Sequence, residues 1–405
     1  MKVTIERLGH LGDGIAEGPV FVPRALPGET IEGALSGDFI ADYRIITSSP
    51  DRVAAPCRHY KGCGGCGLQH ASDAFVARWK VEVVRQALEA RNLAAPIRAL
   101  HTSPPRSRRR ATFAGKRTKK GATVGFHAPS SDVIRDVPDC LLIRPSLAAC
   151  LPVLSPIVEL GGSRKGEMRL TVTETDTGLD LSITGGKPLD VSMTQEIVAI
   201  AMRGGFVRVS WDGETLVSET PPVTMFGSAP VPLPPGAFLQ ATAEGEAALL
   251  SSVSEALADA KGPVADLFSG VGTFALPLAA KREVHAVEGE RAMLAALDQG
   301  WRHGQGLHRV TTECRDLFRR PIPSDDLRRY NAVIIDPPRA GAEAQTTELA
   351  QSGVPHVAFV SCNPVTFARD AEILTRAGYD LRWLDVVDQF RWSPHVELVA
   401  YFSLA

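Results

Sequence analysis

PVADLFSGVGTFALPLAA, residues 263–280, decides the fold. It reads as a short apolar strand, a glycine-rich turn and the start of a helix. Gly270 and Gly272 allow a tight turn and let a ligand come close to the backbone. About twenty residues on, VHAVEGE (284–290) places Glu288 at the end of a second strand, where a carboxylate accepts hydrogen bonds from ribose hydroxyls. A dinucleotide site carries a third glycine over the pyrophosphate. GVGTF lacks it, so the turn suits a nucleoside without phosphates, and S-adenosylmethionine is such a molecule. Asp316 in ECRDLF (313–318), after the next strand, is placed to face the adenine amino group.

Outward from this turn, apolar strands alternate with helical patterns to the end of the chain. VADLF, VHAVE, AVIIDPP, HVAFVSCNP and ELVAYF are the strands, so residues 236–405 are expected to form a doubly wound, Rossmann-like α/β domain. Residues 1–53 differ. VTIERL, GIAEG, VFVPRALPGE, TIEGALSG and DYRIITSS alternate apolar and polar positions between turns, the pattern of a small OB-like β-barrel. Between them, residues 54–235 hold a cysteine cluster, the helical stretch FVARWKVEVVRQALEARN (75–92), and strands and loops. LTVTETDTGLDLSIT (170–184) reads there as a hairpin, and the α+β region closes on a proline-rich crossing segment, SAPVPLPPGAF (228–238).

The 405 residues carry a formal charge of −2, so any nucleic-acid contact must come from local patches. No run of about twenty apolar residues exists to span a membrane, and the first residues show no secretory apolar stretch. A cytoplasmic monomer is the default expectation.

Three strand ends carry chemistry. AVIIDPPRAG (332–341) drives Asp336 to the carboxyl edge of the sheet, where ligands of such sheets bind. Arg339 stands where amino-group methyltransferases keep an aromatic residue, which argues against exocyclic amine chemistry. HVAFVSCNPVTFARD (356–370) puts Cys362 between a buried strand and a helix start, a setting expected to favour the thiolate. HVELVAYF (395–402) sets Glu397 in an apolar strand, costly unless paired or functional; an exposed edge-strand glutamate is the plainer alternative. Together they meet one need. C5 of uracil attacks a methyl donor only after a nucleophile adds at C6, and a base must then remove the C5 proton. Cys362 suits the nucleophile, Glu397 the base, and Asp336 the positioning of donor or base.

PCRHYKGCGGCGLQH (56–70) spaces Cys57, Cys63 and Cys66 as C-x5-C-x2-C, and VPDCLLI adds Cys140. Four thiolates suit zinc or an iron–sulfur cluster, and spacing leaves both open. PPRSRRRATFAGKRTKKG (104–121) gathers Arg106, Arg108, Arg109, Arg110, Lys116, Arg117, Lys119 and Lys120 without an acid. With Phe113 as a stacking ring, this reads as a phosphate-tracking RNA surface. A uridine buried in a stem cannot reach a thiolate, so the target must be unpaired or flipped out.

DLFSGVGTF, DPPRAG, SCNPVTFARD and HVE, in that order, resemble the RNA 5-methyluridine methyltransferase family. The amino-terminal barrel, which resembles a TRAM domain, and the cysteine cluster are similar to members acting on 23S ribosomal RNA. The resemblance implies a class I methyltransferase domain, S-adenosylmethionine as cofactor, a 4Fe–4S cluster rather than zinc, and an rRNA substrate, with tRNA as the alternative. It also implies Gln240, Phe268, Glu288 and Asp336 as cofactor contacts, together with Thr273 or Asp316. Departures are Phe268 and Ser269 where the family often has Tyr and Cys, and QFRWSP (389–394) before HVE. Two other readings compete: a cluster-bearing RNA-binding protein without catalysis, and DNA cytosine methylation, which typically places Pro-Cys at its nucleophile.

Overall fold

The computed structural model describes residues 1–404. The turn at 268–274 belongs to an eight-stranded sheet. Its spatial order is Val310–Cys314, Val284–Glu288, Val264–Leu267, Ala332–Ile335, His356–Ser361, Glu397–Leu404, Tyr379–Asp388 and Ile97–Thr102. The first five strands run parallel, and Glu397–Leu404 enters antiparallel to both of its neighbours. Residues Val264–Leu267 and Ala332–Ile335 are buried without exception. Alternate side chains face opposite ways along a strand. Ile334, Ala358 and Val360 therefore enter one core, while Val333, Ile335, Val357 and Phe359 enter another on the opposite face. Continuous apolar strands are what a sheet covered on both sides requires.

The eighth strand comes from far upstream. Ile97–Thr102 pairs in parallel with Tyr379–Asp388, from Leu384 opposite Ile97 to Asp388 opposite Thr102. The helix Asp73–Glu89 before it is started by Ser72, whose hydroxyl accepts from Phe75 N. Its Val84 and Leu88 join the core that holds Phe367 and Leu374. The segment 73–102 thus belongs to the layer of the eight-stranded sheet, although in sequence it precedes the central sheet.

Residues 1–47 form a five-stranded antiparallel sheet in the order Val20–Val22, Gly14–Ala16, Lys2–Leu8, Thr30–Gly33, Tyr43–Thr47, around Ile5, Val22 and Ile31. The central sheet has seven strands, including the hairpin of Met168–Thr175 with Gly178–Thr184, and the helices Pro145–Gly161 and Val191–Arg203. The proline-rich segment is packed rather than merely a connector. Ala229–Pro232 pairs with Val223–Phe226, and Val231 lies against Gly300, where a Cβ would stand 2.4 Å from it. No helix among the described residues is long and apolar enough to cross a membrane.

Candidate active site

The strand Val264–Leu267 ends at Phe268, which takes φ 64°, a left-handed conformation unusual for a large side chain. That turns the chain so that Gly270 N donates to Glu288 Oε2 at 3.1 Å, while Glu290 N donates to Glu288 Oε1 at 3.0 Å. Glu288 is thereby fixed across the turn. Phe268, Gly270, Glu288 and Asp316 line one cavity with Gln240 and Asp336. Gly272 and Thr273 do not line it. Gly272, at φ 98°, serves the fold instead, since a Cβ there would meet Leu276 at 2.8 Å and Leu297 at 3.0 Å.

Several lining residues had no mark in the sequence. Phe318 stands 5.4 Å from Phe268, ring centre to ring centre, and forms an aromatic wall with it; Phe238, Met293 and Phe390 add to the apolar lining. Beneath the turn, both carboxylate oxygens of Asp266 are buried without a hydrogen-bond partner. Burial, then the nearby Asp336, hold its pKa well above the ordinary range; the Ala275 N–H opposes this without forming a bond of acceptable geometry.

The same cavity reaches Cys362 and Glu397. Asn363 caps the helix Pro364–Arg376, its side chain accepting from Val365 N at 3.1 Å, and Pro364 occupies the first turn. Cys362 therefore lies one residue outside the cap and gains little from the helix end. The expected depression of its pKa is overturned. Burial, then Glu397 and Asp336, push the thiol up to about 11. Asn363 Nδ2 and Thr366 Oγ1 donate to Arg339 O at 3.0 and 3.2 Å, tying the cysteine loop to the DPPR loop.

Glu397 opens the interior strand Glu397–Leu404 and is 5% exposed, so the edge-strand alternative does not hold. Burial and the Asp336 carboxylate raise it to about 8, against a hydrogen bond from Gln389 and the Arg339 charge. Burial also raises Asp336 to about 7. Arg339 Nη2 lies 2.5 Å from His395 Nδ1. Burial, then the Arg339 charge, lower that imidazole to about 4, leaving it neutral and able to accept. On the other side of Cys362 and Arg339 a second groove opens. His10 and Leu11, in the turn after the strand Lys2–Leu8, with Gln86, Val365 and Pro394, form its walls.

Cys57, Cys63, Cys66 and Cys140 line one small cavity with Tyr60 and Gln69. Backbone N–H groups of Gly65 and Leu142 donate to Cys63 Sγ at 3.4 Å and Cys140 Sγ at 3.5 Å. Burial raises the thiol of Cys66 to about 12. Among the described residues, no group of three or more His, Cys, Asp or Glu side chains lies close enough to hold a single metal ion.

The basic stretch divides. Phe113 is fully buried against Phe126 and is not a stacking ring. Arg109 is buried too, donating to Gln240 O at 3.1 Å and pairing with Glu246. Arg108 and Arg110 are half-buried, whereas Arg106, Lys116, Arg117, Lys119 and Lys120 are exposed.

A parallel sheet with one antiparallel strand inserted between His356–Ser361 and Tyr379–Asp388, a glycine turn and an acid on the next strand define a class I S-adenosylmethionine-dependent methyltransferase. Over 99% of both chains the fold is like that of the Pyrococcus abyssi tRNA (uracil-54, C5)-methyltransferase in complex with S-adenosyl-L-homocysteine, at a TM-score of 0.76 and 20% identity. Residues 305–403 match the family described as tRNA (Uracil-5-)-methyltransferase. The sequence is 44% identical to a Brucella suis protein described as an uncharacterized RNA methyltransferase, over 99% of this chain and 97% of that one. It is 33% identical to the Halomonas elongata 23S rRNA (uracil(1939)-C(5))-methyltransferase RlmD, over 98% of this chain and 88% of that one. The chain belongs to the RNA uracil-C5 methyltransferase family and is an S-adenosylmethionine-dependent enzyme.

Proposed function

We propose that this enzyme methylates C5 of a uridine in 23S rRNA, with Cys362 as nucleophile and Glu397 as base. The observation that carries this reading is that the Cys362, Glu397 and Asp336 side chains open into the cavity that Phe268 and Glu288 line. The residues fit the cofactor. The orphaned Asp266 carboxylate lies under the turn, Glu288 suits ribose hydroxyls, the Phe268–Phe318 wall suits the adenine, and Gln240, Asp316 and Asp336 complete the contacts. S-adenosylmethionine, when bound, supplies an electrophilic methyl group.

The chain's own residues do the rest. Cys362 Sγ carries its proton in the resting site and gives it up to solvent in the adjoining groove; the sulfur then bonds to C6 of the uracil, and that bond moves the ring electrons so that C5 becomes nucleophilic. Once C5 is methylated, Glu397 takes the C5 proton, and the electron pair left behind forms the C5–C6 double bond and expels the sulfur. The groove beyond Cys362 provides a path for an extruded nucleotide that does not cross the cofactor.

Residues 1–53 act in this reading as a TRAM-like RNA-holding barrel, residues 54–235 as a central RNA-binding and cluster domain, and residues 236–405 as the methyltransferase domain, completed by the segment 73–102. For the cysteines, a 4Fe–4S cluster is the better occupant than zinc. Four sulfurs line a shared cavity, and two of them receive backbone N–H groups, as cluster sulfurs commonly do.

A tRNA substrate is the second reading, favoured by the end-to-end likeness to the archaeal enzyme. Labelled S-adenosylmethionine, the purified protein and total RNA lacking 5-methyluridine separate the two. Label mapped to C5 of a 23S uridine is the expected result. Label in tRNA alone overturns the substrate, and label in neither overturns the reaction.

A further inference from the structure

Gln389 stands directly after the strand Tyr379–Asp388 and is 1% exposed. Its Oε1 accepts from Ala241 N at 2.7 Å. A backbone N–H can only donate, so this contact fixes which end of the amide is oxygen. Nε2 is then the donor, both to Gln240 Oε1 at 2.6 Å and to Glu397 Oε2. Both amide protons and the amide oxygen are thus engaged, which fixes the orientation of the group.

The packing leaves it no other place. Helix Ala243–Ala256 starts against this side chain, and a Cβ on Gly245 would stand 2.6 Å from Gln389 Cβ. Next in sequence, Asp388 is held by the buried Lys80, which also donates to Phe390 O at 3.2 Å and His395 O at 2.8 Å. The loop from Gln389 to Glu397 is thus pinned at both ends.

We propose that Gln389 is a positioning residue for proton removal: it holds Glu397 by Oε2, leaving Oε1 free to accept the C5 proton. The inference rests on the reaction proposed above. The C5–H bond breaks, the proton goes to Glu397 Oε1, and the electron pair closes the C5–C6 double bond as Cys362 Sγ leaves. Three charged or titratable groups surround Glu397. Asp336 opposes its ionisation, Arg339 supports it, and the Cys362 thiol faces it across the site; the Lys80–Asp388 pair lies behind. Burial and Asp336 work against the charged form, so the Gln389 donor is the contact that offsets them by direct bonding. Gln240, its oxygen occupied by Gln389, offers its amide nitrogen to a ligand carbonyl or carboxylate.

The test uses the full-length protein and unmodified 23S rRNA or tRNA transcripts carrying tritium at uracil C5. Methyl transfer, tritium release and covalent RNA adduct are followed in a single turnover across pH. For Gln389→Leu and Gln389→Met we expect methyl transfer to persist and adduct to accumulate. Tritium release should slow by about tenfold or more, with the acidic limb of its pH profile moved upward. If either folded variant loses methyl transfer and tritium release in parallel, with no adduct and an unmoved pH limb, Gln389 is merely structural and the inference falls. Gly245→Ala, which displaces Gln389 without altering its chemistry, should reproduce the adduct; normal tritium release by that variant would also overturn it. If the wild type itself forms no adduct and releases no tritium, the reaction fails, and this inference with it.

Discussion

Lys80 and Asp388 form an ion pair with side chains only 0% and 2% exposed, joining the helix Asp73–Glu89 to the loop that carries Gln389. Breaking a buried pair from one side leaves an uncompensated charge, at a cost of about 3–5 kcal/mol. Lys80→Met should therefore lower stability by about that much in urea unfolding. The double variant Lys80→Met, Asp388→Asn should recover part of it. Equal stability of Lys80→Met and wild type would show that the pair is not sealed from water.

Glu397 gives the free protein a pH signature. Its folded pKa, about 8, lies above the ordinary 4.5. Such a group favours the folded state fully below about pH 4.5, and the advantage is lost as pH rises through 8. Asp336, raised from 3.8 to about 7, acts in the same direction. Thermal stability of the ligand-free protein should fall between pH 5 and 8, and Glu397→Gln should flatten that fall. An unchanged slope would show that the Glu397 carboxyl is ionised throughout.

The divided basic stretch predicts two kinds of mutant. Lys116, Arg117, Lys119 and Lys120 are exposed around the turn after the strand Arg110–Thr118. Replacing each by Ala should weaken binding to any RNA and reduce the salt slope of the affinity by about 1 per residue, without changing unfolding. Arg109→Ala should instead destabilise the fold, because it strips a buried partner from Glu246 and from Gln240 O. Filter binding over a salt series, with unfolding in parallel, checks both.

Protein purified without oxygen should carry about four irons and four inorganic sulfides per chain, the content of a cubane cluster. Cys66→Ser should lose both. One equivalent of zinc and no sulfide would reverse the assignment and require the four sulfurs to close to a tetrahedron on binding.

Much of the site was legible because parallel strands announce themselves as apolar runs, and the residue after each run lies at the ligand edge. Asp336 and Cys362 were found that way, as was Glu288. Phe113 was misread because charge density was given more weight than alternation. In RATFAG the buried Ala111 and Phe113 are two apart, on one face of the strand, and the exposed Thr112 lies between them. The thiol of Cys362 was expected to be acidic from its place near a helix, but burial, with two carboxylates brought from other strands, outweighs that end effect. Gln389, Phe318 and Asp266 share a different reason. Nothing local marks them, and their roles exist only once residues as far apart as 241 and 389 meet. Cys57, Cys63 and Cys66 stood out by their spacing in one short loop; Cys140, far along the chain, joins them only at the small cavity that all four line.

The edge strand Ile97–Thr102 has a consequence for how the chain is made. It leaves the ribosome long before Tyr379–Asp388, the strand it pairs with. At roughly 5–20 residues per second, that interval lasts tens of seconds. During it, a strand with open hydrogen-bonding groups waits while the whole central region is synthesised beside it, in the state most exposed to wrong pairing. The catalytic sheet thus closes from both ends of the sequence at once, and a chain that stops short of residue 379 is left with an unpaired strand near its beginning as well as a missing base at its end.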